Sequence, residues 1–427
     1  MEPEINLNDE DTNYMYGFIK KITDEVGPRI PGSEQEAAAA EMIKKEMEKT
    51  CDEVEIEEFK FHPRAFFGWI RLDIVLIVIS MGIYFLKRLT NSLAVQLVLS
   101  LVSAALVSMA LVFMWYEFFN YDEFLDRFYK EDSSQNVIGK IKPTGEVKHI
   151  IIYSGHHDSA WQFNLMRYLK YGYGVVSFWG IFAMIFWFGV TLFNIFFVAI
   201  GNETLMDTVA LWTVIIGSPA ICALWFFVSG GDKGNKVPGA VDNLSAVAVT
   251  LQVGRYLKRH PELIPENTEI RLISFGCEEA GLRGAYRYVE RHYDELKKYD
   301  AVNINMDGIQ DPEHFDIMEN EPTTRTRHSP EVVKQLLDAN DLVGGEIREF
   351  GASILAKIAG ALSGGTDAAA FSKAGIKAAC IEGMNFMRVM DFYHQPFDTV
   401  DKIESGALEK AARILLAYLV IEKRKNH

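Results

Sequence analysis

The chain has 427 residues and a formal net charge of −15, an acidity that excludes a nucleic-acid backbone as partner. Four scattered cysteines (Cys51, Cys222, Cys277, Cys380) provide neither a disulfide framework nor a cysteine metal site. The length allows one large domain or two to three ordinary ones.

The chain opens on an acidic, polar stretch, "MEPEINLNDEDTNY", which reads as carrying no cleavable signal peptide. "SEQEAAAAEMIKKEMEK" then reads as a helix with Ser33 at its N-cap. The alternating run "DEVEIEEFKF" reads as a strand.

Hydropathy then changes abruptly. Leu89–Tyr116, Tyr171–Asn202 and Thr208–Gly231 contain no charged residue. Each is long enough to cross a hydrocarbon core of about 30 Å, which takes roughly 20 residues. Phe66–Leu86 is weaker because it carries Arg71 and Asp73. The short loop "KRLTNS" joins it to the next span, and "ETLMD" joins the second pair, so two transmembrane hairpins are predicted. Trp69, Trp115, Tyr116, Tyr171 and Tyr173 lie near the span ends, where aromatic anchors belong. The expected organisation is a soluble domain in three parts, 1–65, 117–170 and 232–427, interrupted by hairpins at 66–116 and 171–231.

Between the hairpins, "NVIGKI", the turn "KPTGE" and "VKHIIIYSG" read as a β-hairpin of two adjacent antiparallel strands. After the second hairpin, "NLSAVAVTLQVGRYLKRH" is helical, "EIRLISFG" a strand and "LRGAYRYVERHYDELKKY" a helix. "DAVNINMDG" and "IKAACIEG" are further strands, and "SGALEKAARILLAYLVIEKRK" a closing helix. Alternating strands and helices predict an α/β fold, with a mixed, mostly parallel central sheet flanked by helices.

Several metal-binding side chains stand just after a strand or just before a helix. "IIIYSGHHDS" ends on His156, His157 and Asp158; "VPGAVDNLSA" carries Asp242; "LISFGCEEAG" carries Glu278 and Glu279; "VNINMDG" carries Asp307; "DFYHQPFDT" carries His394. Strand carboxyl ends line the crevice where α/β sheets bind ligands. Zinc takes imidazole nitrogen and carboxylate oxygen, and two zinc ions can share one bridging carboxylate and one water. Adjacent glutamates repel unless a cation sits beside them. One of the pair then ligates, and the other faces the water as general base.

These motifs resemble the co-catalytic zinc aminopeptidase family, whose relatives include glutaminyl cyclases, plasma glutamate carboxypeptidase and the transferrin-receptor domain. The likeness begins at "GPRIPGS", ends after "YHQPFDTVDKI" and leaves out the hairpins. It implies two Zn2+ per chain, with His156 and Asp307 on one, Glu279 and His394 on the other, and Asp242 bridging. It implies Glu278 as the base, Asp158 as the residue orienting His156, Tyr393 as a donor to the tetrahedral intermediate, and a cis peptide at Asp242–Asn243. His157 stands outside the implied ligand set. "GGTDAAAF" also matches the family, without a role for Asp367.

The implied activity is exopeptidase hydrolysis of N-terminal residues. The alternatives are a glutaminyl cyclase or dipeptidase on the same scaffold, and a non-catalytic receptor-like relative. Arg64, Arg71, Arg167, Lys170, Lys233 and Lys236 flank the spans on the peptidase side, against Lys87 and Arg88 on the far side. The positive-inside rule then predicts a multi-pass protein with a cytoplasmic peptidase domain. Both hairpins leave the soluble domain near the strand ends that carry the metal residues. The site is therefore expected to face the bilayer surface and to take hydrophobic or membrane-derived peptides.

Overall fold

The computed structural model describes residues 5–229, 235–345, 347 and 364–425. The expected end of the second hairpin at 231 and Lys233 lie outside the described residues. The chain divides into two compact units: Met1–Pro63, Glu131–Gln162 and Gly231–His427 form one, Arg64–Lys130 and Phe163–Gly230 the other.

The first unit is built on a sheet of seven strands: β1 (Glu53–Phe61), β2 (Asp132–Ile141), β3 (His149–His156), β4 (Thr268–Phe275), β5 (Val302–Ile309), β6 (Asp316–Met318) and β7 (Lys377–Gly383). Their order is β1-β2-β4-β3-β5-β7-β6. The four central strands β4, β3, β5 and β7 run parallel, whereas β1, β2 and β6 pair antiparallel at the margins. A mixed, mostly parallel sheet is what the sequence predicts.

One expectation is overturned. β2 and β3 are not neighbours, because β4 lies between them, antiparallel to β2 and parallel to β3. The connection between them does not close as a tight turn. Instead it crosses the entrance to β4, where Gly145 N–H donates to Glu266 O (2.7 Å) and Lys148 N–H to Asn267 O (2.9 Å). Every residue of β4 is buried, so this strand belongs in the middle of the sheet. β2 and β3 are still antiparallel, and the consequence for the edge survives. Phe61 pairs with Asp132, Val137 with Ser274, and His156 with Phe275. The chain therefore leaves β1 and re-enters β2 at the edge where β3 and β4 end.

Helices α1 (Asp9–Glu25), α2 (Glu34–Met47), α3 (Ser245–Arg259), α4 (Arg283–Lys298), α5 (Pro330–Leu342), α6 (Asp367–Lys373) and α7 (Ala407–Lys425) flank the sheet. α3, buried along most of its length, and α7 share one core cluster with Tyr153, Ile270, Ile304 and Ile381. Burying each such side chain contributes about 1.5–3 kcal/mol. α1 is absent from the sequence expectation. Its acids Asp9, Glu10 and Asp11 occupy the first turn, where a helix N-terminus favours negative charge, while Met15, Phe18, Ile19 and Ile22 face the core.

The second unit contains four apolar helices: Ala65–Leu89, Leu93–Phe119, Gly172–Ala199 and Thr204–Phe226, all long enough to span a bilayer. Their polarity is inverted relative to a soluble bundle. Among the described residues, every exposed large hydrophobic side chain lies in this unit except Tyr293, Leu337, Met387 and Phe397. Inside the bundle, Trp187 Nε1 donates to Ser80 Oγ (2.9 Å), and buried Lys87 pairs with Asp207 (2.9 Å). Polar contacts inside and apolar side chains outside suit a lipid environment. Residues 117–130 and 163–170, expected in the soluble domain, cluster with the helices instead. Leu125 packs on Trp69 and Met114, and Phe163 on Phe67 and Phe227.

Candidate metal centre

Five segments converge at the carboxyl edge of β3, β4 and β5: the ends of β3 and β5, the turn after β4, and the loops that carry Asp242 and His394. β3 ends on His156. Two residues later Asp158 turns back, its Oδ1 3.2 Å from His156 Nδ1. That contact fixes the ring and leaves Nε2 to face the centre of the site. His156 Nε2 lies 3.1 Å from Asp242 Oδ1, 3.7 Å from Glu278 Oε2 and 3.9 Å from Asp307 Oδ1.

Asp242 sits in the turn before α3, beside a cis Asp242–Asn243 peptide. Its second oxygen, Oδ2, is 3.0 Å from His394 Nε2, which is itself 3.3 Å from Glu279 Oε1. One carboxylate therefore addresses two imidazoles, one through each oxygen. Ligand atoms of His156, Glu278 and Asp307 lie within 4.8 Å of one another, as do those of His156, Asp242 and Glu279.

The surrounding backbone is held by side chains. Gly276, Cys277, Glu278 and Glu279 present four successive N–H groups. Their acceptors are Asn136 Oδ1 (3.2 Å), Glu36 Oε1 (3.0 Å), Asp158 Oδ1 (3.2 Å) and Asp158 Oδ2 (3.0 Å). On the opposite side, Asp398 accepts from the N–H of Val241 (2.7 Å) and of Asp242 (3.2 Å). Buried Arg29 spends its guanidinium on the carbonyls of His157, Gly27, Pro238 and Gly239, tying the loop after β3 to the loop before Asp242. Gly155 admits α3 to the sheet at this point, because a Cβ there would stand 2.4 Å from Ala246 Cβ.

The electrostatics call for cations. Burial pushes the Glu278 carboxyl well above its usual range; His156 opposes this, and Glu279, Asp307 and Asp367 add to it. Asp307 is likewise raised by burial and by Asp242. Burial works against charge on His394, but Glu279 and Asp242 outweigh it and raise the imidazole to about 10. His156 Nε2, Asp242 Oδ2 and Glu279 Oε1 are buried and make no hydrogen bond, although the first faces Asp242 Oδ1 and the other two face His394 Nε2. Oxygen and imidazole donors with free lone pairs around an excess of negative charge fit zinc.

His156, Asp242, Glu278, Glu279, Asp307 and His394 come together, and Asp158 adjoins His156. Tyr393 stacks on His394 with ring centroids 3.9 Å apart. Desolvation, followed by the charges of Asp242 and Glu279, keeps its hydroxyl protonated as a donor. His157 turns elsewhere, its Nδ1 2.9 Å from Ser274 Oγ. Asp367 is wholly buried and neither of its carboxylate oxygens makes a hydrogen bond.

Glu36, Asn136, Asp398 and Arg29 escaped the sequence reading. Asp398 follows His394 by four residues in the same quoted loop, and Glu36 and Arg29 flank "PGS", so adjacency to recognised motifs was the available signal.

Residues 226–419 match the sequence profile of peptidase family M28. The aminopeptidase YwaD of Bacillus subtilis is 29% identical over 200 residues, covering 44% of this chain and 39% of the relative's length. Among solved structures, a zinc aminopeptidase from Bacillus subtilis superposes with a TM-score of 0.53 at 16% identity, covering 96% of this chain and 95% of that one. A glutaminyl cyclase from Fimbriiglobus ruber gives 0.55 at 15% identity, covering 99% and 98%. At these identities the two structures share the fold.

Proposed function

We propose that this chain, which carries the peptidase family M28 sequence over residues 226–419, is a membrane-bound zinc exopeptidase, an aminopeptidase acting on the N-terminal residues of peptides. The observation that carries the reading is Asp242, whose two oxygens address His156 Nε2 and His394 Nε2 separately, as a carboxylate shared by two metals does. His156 and Asp307 would hold one Zn2+, and Glu279 and His394 the other. Zinc, when bound, supplies an acidified water and a Lewis acid for the scissile carbonyl.

The chain's own residues do the rest. Glu278 takes the water's proton and passes it to the leaving amine. Asp158 holds the His156 ring and the Glu278–Glu279 backbone in one arrangement. The protonated Tyr393 hydroxyl donates to the developing oxyanion.

The glutaminyl cyclase reading draws support from the shared fold. It is separated by stoichiometry, since cyclases of this family work with a single zinc. Hydrolysis of peptides with free and with blocked amino termini, measured before and after chelation and zinc return, tests the proposal. The expected result is chelator-sensitive cleavage confined to free termini, with two zinc ions per active chain. Cleavage that persists in metal-free protein overturns it.

The finer reading is a cytoplasmic enzyme working at the bilayer surface on hydrophobic or membrane-derived peptides. Its supports are the lysine and arginine bias around the spans and the exit of the chain from β1 at the edge of the sheet that carries His156. Turnover of apolar and polar peptides in lipid vesicles tests it, and equal rates refute it.

A further inference from the structure

Glu36 stands three residues after the N-cap Ser33 of α2, where a glutamate ordinarily folds back onto the N-cap N–H. It does not do so here. Ser33 Oγ accepts from Glu36 N–H (3.1 Å), but Ser33 N–H donates to Ile30 O (3.0 Å) rather than to the Glu36 carboxylate. Oε2 accepts from Gly32 N–H at 2.7 Å, and Oε1 accepts from Cys277 N–H at 3.0 Å. The Cys277 thiol adds a weaker contact to Oε1 at 3.5 Å. A wholly buried carboxylate thus joins the start of α2 to a turn more than two hundred residues away.

That turn is the one that sets Glu278. Cys277 adopts φ +56°, a left-handed conformation unfavourable for a side chain with a Cβ, and it needs outside support. Gly276 beside it has no room for a Cβ, which would stand 2.5 Å from Gln135 O and 3.0 Å from Glu36 Oε1. Asp158 holds the next two N–H groups, but Cys277 N–H has Glu36 as its acceptor.

We infer that Glu36 is a positioning residue for the general base: it fixes the left-handed turn at Cys277 and through it the direction of the Glu278 side chain. The inference rests on the peptidase reading for its kinetic consequence but not for its structural one. It goes beyond that reading by assigning to α2 a role in positioning the base. A shift of about 1 Å in a catalytic group costs up to roughly 100-fold in rate.

The test is Glu36→Leu, close in volume and without any acceptor, so that both Gly32 N–H and Cys277 N–H lose their partner. Two readouts are taken on the full-length, zinc-loaded protein. Amide exchange over residues 275–282 should quicken, while exchange in α7 stays as in the wild type. kcat should fall roughly 10- to 100-fold, with KM and zinc content within about twofold of the wild type. Unchanged exchange at 275–282 overturns the inference, whatever the activity. Faster exchange with unchanged kcat also overturns it, because the turn would then move without consequence for the base. A protein with no peptidase activity before mutation refutes the functional reading alone, since the exchange result stands independently. If Glu36→Leu does not fold, Glu36→Asp, which keeps the carboxyl group and withdraws it by one methylene, is judged by the same readouts.

Discussion

Asp158 Oδ2 accepts a hydrogen bond from the backbone N–H of Glu279 at 3.0 Å, while its Oδ1 lies 3.2 Å from His156 Nδ1. One side chain therefore orients an imidazole on β3 and the backbone of two glutamates after β4. Both are residues of the proposed centre, contributed by neighbouring parallel strands.

Asp158→Asn retains one acceptor oxygen and exchanges the other for a donor. Either the Glu279 N–H or the pair formed by Glu278 N–H and His156 Nδ1 then faces an N–H group. The expected outcome is a 10- to 100-fold loss in zinc affinity or kcat, the range for residues that support metal ligands. Competition with a chelator and steady-state kinetics on the zinc-saturated variant separate the two losses.

Glu278 and Asp242 are expected to fail in different ways. Glu278→Gln keeps the volume and loses the proton acceptor, so zinc content should hold while kcat falls by about 10²–10⁴. Asp242→Ala removes the carboxylate that addresses both imidazoles, so zinc is lost and activity goes with it. Metal analysis beside kinetics distinguishes them. Near-normal turnover in Glu278→Gln would show that another group is the base.

Much of this was legible in the sequence because the signals are local. His156, Asp307 and the Glu278–Glu279 pair each end an apolar strand, and Asp242 opens a helix. The uncharged spans announce themselves by composition alone. What stayed hidden depends on long-range pairing. Nothing in "NVIGKI" or "HIIIYSG" says that a strand more than a hundred residues later will come between them. Glu36 reads as an ordinary first-turn acid until Cys277 arrives beside it. The acidic start of α1 looks like a solvated tail until its apolar face finds a core shared with α3 and α7.

Gly155 makes a prediction about packing. Gly155→Ala puts a Cβ 2.4 Å from Ala246 Cβ, with the backbone of α3 immediately behind it. α3 must move away from β3, at a cost of about 1–3 kcal/mol. The same movement separates His156 from Asp242, which stand at the adjoining ends of those two elements. Denaturant unfolding should show the stability loss, and zinc titration a weaker site. Wild-type values in both would mean that the helix yields without disturbing the metal residues.

His157 makes a prediction about acid. Burial, reinforced by Arg29 and His156, lowers its imidazole from 6.5 to about 4, against the opposing pull of Asp158. The folded protein therefore holds His157 neutral where the unfolded chain would already protonate it. Its contribution to stability is complete above pH 6.5 and is lost progressively as pH falls toward 4, up to a limit of about 3 kcal/mol. His157→Gln removes the group that titrates. Unfolding free energies at pH 7.5 and pH 5 should differ less in the variant than in the wild type. Zinc release through protonation of the ligands affects both proteins and cancels in that comparison. An equal drop in the two would assign the acid sensitivity to other groups.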